Sequence, residues 1–112
     1  DNDMATLFRN KAIKDVGLVP IEVIENNAAT QSTVIGAALT NLTEDVIYAS
    51  VLVQDDTSIT AYYLKDVMIP PNTTLKAING GEKLIVAPSC SLYVKADVDD
   101  SLDAVFSYVD IV

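Results

Sequence analysis

Four aspartates, Asp97, Asp99, Asp100 and Asp103, fall within one short stretch near the C-terminal end. Carboxylates gathered in a loop suit a hard cation such as Ca²⁺, whose charge offsets their mutual repulsion. The spacing fits no EF-hand, because the turn glycine and the closing Glu are both missing. A solvated turn on an acidic chain accounts for the same residues, and the expectation is a loop that holds no metal. Asp55 and Asp56 form a weaker pair of the same kind.

Covalent and acid–base catalysis have less to work with. The chain has no histidine, so Ser-His-Asp and Cys-His arrangements cannot be built and most zinc sites lose their usual ligands. Cys90, the single cysteine, lies in Pro88-Ser89-Cys90-Ser91 at a turn-to-strand boundary. With no base beside it, it reads as a small, half-buried side chain, and being alone it forms no intramolecular disulfide. Paired carboxylates could cleave a glycoside only across a cleft. There is no Trp, and the Tyr and Phe are scattered, so no lining for such a cleft is visible. The expectation is a protein that is not an enzyme and needs no cofactor. Asn41-Leu42-Thr43 and Asn72-Thr73-Thr74 match the N-glycosylation pattern, a match common by chance.

Charge narrows the partners. Sixteen acidic residues face seven basic ones, a formal net charge of −9, and no Lys/Arg stripe reverses the sign locally. Such a surface repels phosphate backbones and anionic membranes, so neither nucleic acid nor membrane is an expected partner. No stretch approaches the ~20 apolar residues of a membrane-spanning helix, and a basic leader with an apolar core is absent. The chain begins at Asp1 rather than Met, so its natural start is expected to be processed or to lie upstream.

The elements that must position these residues are strands. At 112 residues, 50% hydrophobic and 21% charged, one folded domain is the natural size. Short runs of β-branched and apolar residues recur between turn signals: 18–24, 33–40, 46–53, 59–64, 67–69, 73–78, 83–87, 91–96 and 102–111. Residues 46–53 and 59–64 form a hairpin across a polar loop, and Pro70-Pro71-Asn72 marks a turn. Asn79-Gly80 is the strongest hairpin signal and predicts that 73–78 pairs with 83–87. Period-two alternation predicts a core containing Ile47, Val51, Val53, Leu92, Val94, Val105 and Val109. The sum is an all-β antiparallel β-sandwich, jelly-roll-like or immunoglobulin-like, and the pattern does not separate the two.

Residues 1–16 stand apart as an N-terminal arm or edge strand before a sandwich domain of 17–112. Leu7 and Phe8 are its apolar anchors. Tyr62 and Tyr63 are adjacent, so one must face away from the core, and Tyr48 and Tyr93 lie opposite their strands' most apolar faces. Outward aromatics on a rigid sheet are interface anchors, or they pack across strands on a partly covered face. The candidate interface residues are therefore Leu7, Phe8, Tyr48, Tyr62, Tyr63 and Tyr93.

The segment Ala61-Tyr62-Tyr63-Leu64-Lys65-Asp66-Val67-Met68-Ile69-Pro70-Pro71-Asn72 resembles parts of small β-sandwich structural proteins of tailed bacteriophages. So do Asn79-Gly80-Gly81-Glu82-Lys83-Leu84 and Leu102-Asp103-Ala104-Val105-Phe106-Ser107-Tyr108. The likeness spans residues 39–108 and is one of strands and turns, with no catalytic residue to carry over. It implies a virion location and a capsid decoration or cement protein, or a neck or tail component. Its partners would be other copies of itself and a major capsid or neck/tail protein. The competing reading is a carbohydrate-binding sandwich, which a concave cluster of the tyrosines would favour.

Overall fold

A computed structural model describes residues 4–112. The arm's first three residues lie outside the described residues. Among the described residues nine strands follow one another: β1 (Thr6–Val16), β2 (Ile21–Glu25), β3 (Gln31–Asn41), β4 (Ile47–Gln54), β5 (Thr60–Ile69), β6 (Thr74–Ile78), β7 (Leu84–Val86), β8 (Ser91–Ala96) and β9 (Leu102–Ile111). Among the described residues there is no helix.

All pairings are antiparallel. One sheet runs β1-β9-β3-β6, with β7 also on β3, and the other runs β2-β8-β4-β5. Successive strands cross repeatedly between the sheets, and the first strand lies beside the last. That is the jelly-roll form of the sandwich, not the immunoglobulin one. Each sheet buries one face against the other, as a two-layer fold requires.

The core forms where the alternation is cleanest. Ile47, Ala49 and Val51 on β4 and Leu92, Val94 and Ala96 on β8 are buried, as are Val34, Ala37 and Leu39 on β3. Val53 is partly buried at its margin. β9 departs from the expected parity. Ala104 and Phe106 are fully buried, Val105 is 45% exposed and Val109 is half-buried. This strand is apolar on both faces, so alternation alone could not choose the inward one.

The Asn79-Gly80 hairpin is also corrected. β6 and β7 do not pair with each other. Both pair with β3, β6 along 37–40 and β7 along 32–34, so they form one interrupted edge strand. The Asn79 turn, closed by Glu82 N–H donating to Asn79 O at 2.9 Å, is an outward excursion from that edge. Similarly, 59–64 and 67–69 are one strand, β5, bent where Asp66 takes a φ of 49° and its N–H donates to Ser50 Oγ. An extra residue with positive φ is how a bulge turns a strand without ending it.

Polar groups close both ends. At one end Asn41, 1% exposed, donates through Nδ2 to the carbonyls of Asp45, Ile69 and Pro70 at 2.7–3.1 Å. Its Oδ1 accepts from Thr43 N and Oγ1. The first glycosylation match is therefore an interior hydrogen-bond hub, whereas Asn72 is exposed on its turn. Beside it Gly17 lies against the β8–β9 loop: a Cβ there would stand 2.9 Å from Asp99 Cα, so only glycine fits.

Candidate assembly surfaces

The acidic stretch is dispersed by the fold. Asp97 Oδ1 accepts from Tyr48 N at 2.8 Å, Asp99 Oδ1 from Leu18 N at 3.3 Å and Asp103 Oδ1 from Asp15 N at 3.0 Å. Each carboxylate serves a different neighbouring backbone, and Asp100 takes a turn conformation with φ 53°. Among the described residues no group of three or more acidic or thiol side chains converges as a metal site would require. Cys90 is buried, its thiol 3.5 Å from Pro88 O. Asp55 organises the β4–β5 loop. Its Oδ1 accepts from Thr57 Oγ1, Thr57 N and Ile59 N, and these bonds, led by the hydroxyl, lower its pKa.

The candidate interface residues divide between three places. On the outer face of the β2-β8-β4-β5 sheet, register sets Tyr93, Leu52 and Tyr62 in one row across β8, β4 and β5. Tyr62 is 47% exposed, with the Lys65 ammonium 5.5 Å from its ring centroid. Tyr93 is half-buried, its hydroxyl 3.4 Å from Gln54 Oε1, and it borders a shallow hollow of about 220 Å³ with Pro20, Leu52, Gln54 and Thr60. Tyr48 lies on the same face but further along β4, opposite Met68. Tyr63 packs against the core. The tyrosines thus form a pair with an outlier, not a single cluster. Asp66 on this sheet has a lowered pKa, first through its hydrogen bond from Lys65, whose own pKa is raised by that bond.

Leu7 and Phe8 lie on the other sheet and on opposite faces of β1. Ladder pairs run from Thr6↔Ile111 to Ile13↔Ala104, making β1 an edge strand hydrogen-bonded to β9. Its segment 6–12 is paired in the sheet, yet every side chain in it is exposed. The inward side chain that fastens this segment is Arg9, not an apolar one. Arg9 Nε donates to Asp110 Oδ2 at 2.8 Å, and the carboxylate is only 12% exposed. The Ser32 hydroxyl donates to Asp110 Oδ1, and Asn26 Nδ2 donates to Val86 O at 2.8 Å. Asn26 Oδ1 stands 3.1 Å from Ser32 Oγ. The chain of contacts links β1, β9, β3 and the ends of β2 and β7. Tyr108 beside it has its pKa raised, mainly by desolvation and then by Asp110.

Sequence reasoning missed the outer face of this sheet. Val105, assigned to the core, is outside it, with Ile85 56% exposed and Phe8 80% exposed on the same side. The available signal was β9 itself: a strand apolar on both faces needs cover on both.

No family model matches the chain, and no curated protein matches it. Among solved structures the chain is similar to one from the T13 particle of infectious bursal disease virus, with a TM-score of 0.56 at 12% identity over 98% of this chain and 31% of that one. The VP2 subviral particle of the same virus gives a TM-score of 0.43 at 13% identity, covering 98% and 33%. This chain therefore spans about a third of the chains it matches. The first likeness is one of fold and agrees with the jelly-roll strand order.

Proposed function

We propose that this chain is a structural domain of a virus particle that works by protein–protein contact. Within that reading it is a capsid decoration or cement protein of the tailed-bacteriophage kind, the neck or tail being the other placement. The observation that carries it is β1. A strand hydrogen-bonded into the sheet but exposed on both faces over 6–12, with Phe8 80% exposed, is an edge built to be covered. Edge strands left open invite pairing with another chain, and isolated proteins blunt them. The jelly-roll likeness to a viral particle chain supports the same reading, and jelly rolls recur in capsid domains.

Deleting residues 1–11 tests it. Every described side chain removed, 4–11, is exposed, but Arg9 goes with them and leaves Asp110 without its ion-pair partner. The sandwich should therefore still unfold cooperatively, at a lower denaturant midpoint, while retention on assembled particles falls. Phe8→Ala should reduce retention with no change in unfolding midpoint. If the truncated chain fails to fold and Phe8→Ala binds particles normally, β1 is an ordinary structural strand and the assembly role is wrong.

A second reading, carbohydrate binding, has one supporting observation: the hollow beside Tyr93 offers an aromatic face next to the Gln54 amide. A glycan-array signal abolished by Tyr93→Ala would select it.

A further inference from the structure

We infer that the outer face of the β1-β9-β3 sheet is a self-association surface, on which Phe8 of one copy seats over Gly36 of a second. The inference rests on the assembly reading above and names its partner. Register fixes the face row by row: Phe8–Val109–Thr33–Ile85, then Asn10–Ser107–Gly36, then Ala12–Val105–Ala38–Lys76. The first row carries the bulky apolar residues Phe8, Val109 and Ile85, the middle row narrows to Ser107 and Gly36, and the third sets Val105 between two alanines. Over that middle row lies an open recess of about 290 Å³ bordered by Gly36, Ala38, Ser107, Val105 and Lys76. An added Cβ on Gly36 would meet nothing closer than Ser107 Cβ at 3.8 Å, so the space above it is free.

Two arguments make the occupant a second copy. The first is geometric. Phe8 and Gly36 flank β9 on one face, about 12 Å apart from two strand spacings across and two residues along. A two-fold axis crossing β9 in the contact plane places each Phe8 over the other copy's Gly36 at once. A face carrying both knob and recess is self-complementary, as an isologous contact requires. The second is electrostatic. The chain carries a net charge of −9, yet among the described residues these rows contain no acid and one cation, Lys76. Two like copies can meet here without carboxylates facing carboxylates, whereas a basic partner would be drawn to the acidic loops.

The size of the face sets the strength. Four strands about 4.8 Å apart and three rows about 7 Å apart give a flat footprint of roughly 400 Å², below the ~800 Å² per partner of a standard stable interface. The contact is therefore weak between free copies and strong where copies are held close together.

Sedimentation of the full chain from about 1 µM to about 1 mM spans the range where such a contact dissociates. A concentration-dependent dimer is expected. Phe8→Ala and Gly36→Val should each weaken it at least about tenfold, because the two-fold axis repeats the lost contact in both copies. The double variant should be no weaker than either single, because both remove the same contact. Tyr62→Ala, on the opposite sheet, should leave the dimer unchanged, and an unchanged denaturation midpoint confirms that Gly36→Val folds. A monomer at every concentration, a dimer indifferent to Phe8→Ala, or additive single losses would each overturn the contact. Retention on particles by a chain that stays monomeric would overturn it while leaving the assembly role standing. A Phe8-dependent dimer that no particle retains would uphold the contact and count against that role.

Discussion

Val105 and Phe106 are neighbours on β9, and replacing each with Ala separates the two possible orientations of that strand. Phe106 is the largest fully buried side chain, at 0% exposure, while Val105 is 45% exposed. Phe106→Ala removes ~2 kcal/mol of transfer free energy. It also opens a cavity of up to about 100 Å³, which at ~24 cal/mol per Å³ adds about 2 kcal/mol. The expected loss is thus about 4 kcal/mol, within the usual ~3–5 kcal/mol for this substitution. Val105→Ala deletes two half-exposed methyls and should cost under ~1 kcal/mol. Urea unfolding followed by circular dichroism reads both, with an unchanged m-value showing that the same surface is exposed on unfolding. The comparison belongs at low micromolar protein, because Val105 borders the proposed self-association face. A Val105→Ala loss equal to or greater than that of Phe106→Ala would mean that β9 presents its other face to the core and that the register is wrong by one residue.

Asn41→Ala should cost about 2–4 kcal/mol in the same assay, because it strands three carbonyls around a buried site. A loss below ~0.5 kcal/mol would place Asn41 at the surface. Asp55 and Asp66 both have pKa values lowered by folding. Their contribution is therefore complete above the unfolded carboxylate pKa and is lost as pH falls through the lower folded values. The melting temperature should drop on that acid limb, and Asp55→Asn should flatten the drop. An unaltered acid limb in Asp55→Asn would show that the β4–β5 loop bonds do not persist in solution.

The sequence was most legible where one face of a strand is apolar and the other is not. β4 and β8 alternate, and Ile47, Val51, Leu92 and Val94 are buried where alternation puts them. Turn chemistry marked Pro70-Pro71-Asn72 correctly, since two prolines cannot serve a central ladder. Of the candidate interface residues, Tyr62 and Tyr93 share a row, whereas Tyr63 turns inward and Leu7 and Phe8 occupy the other sheet. β9 is visibly apolar on both faces, but nothing local says which of them meets water. Alternation therefore puts Val105 in the core and leaves the outer face with Ile85 unassigned.

The amino-acid sequence by itself determined an all-β chain, the positions of most strands, the lack of a histidine-based site and the acidic surface, because these follow from composition, period and turn residues within a few neighbours. Only the tertiary structure decided the jelly-roll order, the orientation of β9, the use of β6 and β7 as one edge against β3, and the placing of Phe8 and Gly36 on one face. Those depend on pairings between residues far apart in the chain, such as Leu7 with Asp110 or Thr40 with Asp103. A strand's local preference is the same whichever partner it takes. Asn79-Gly80 shows this plainly: its turn forms, but both flanking strands pair with β3 and not with each other.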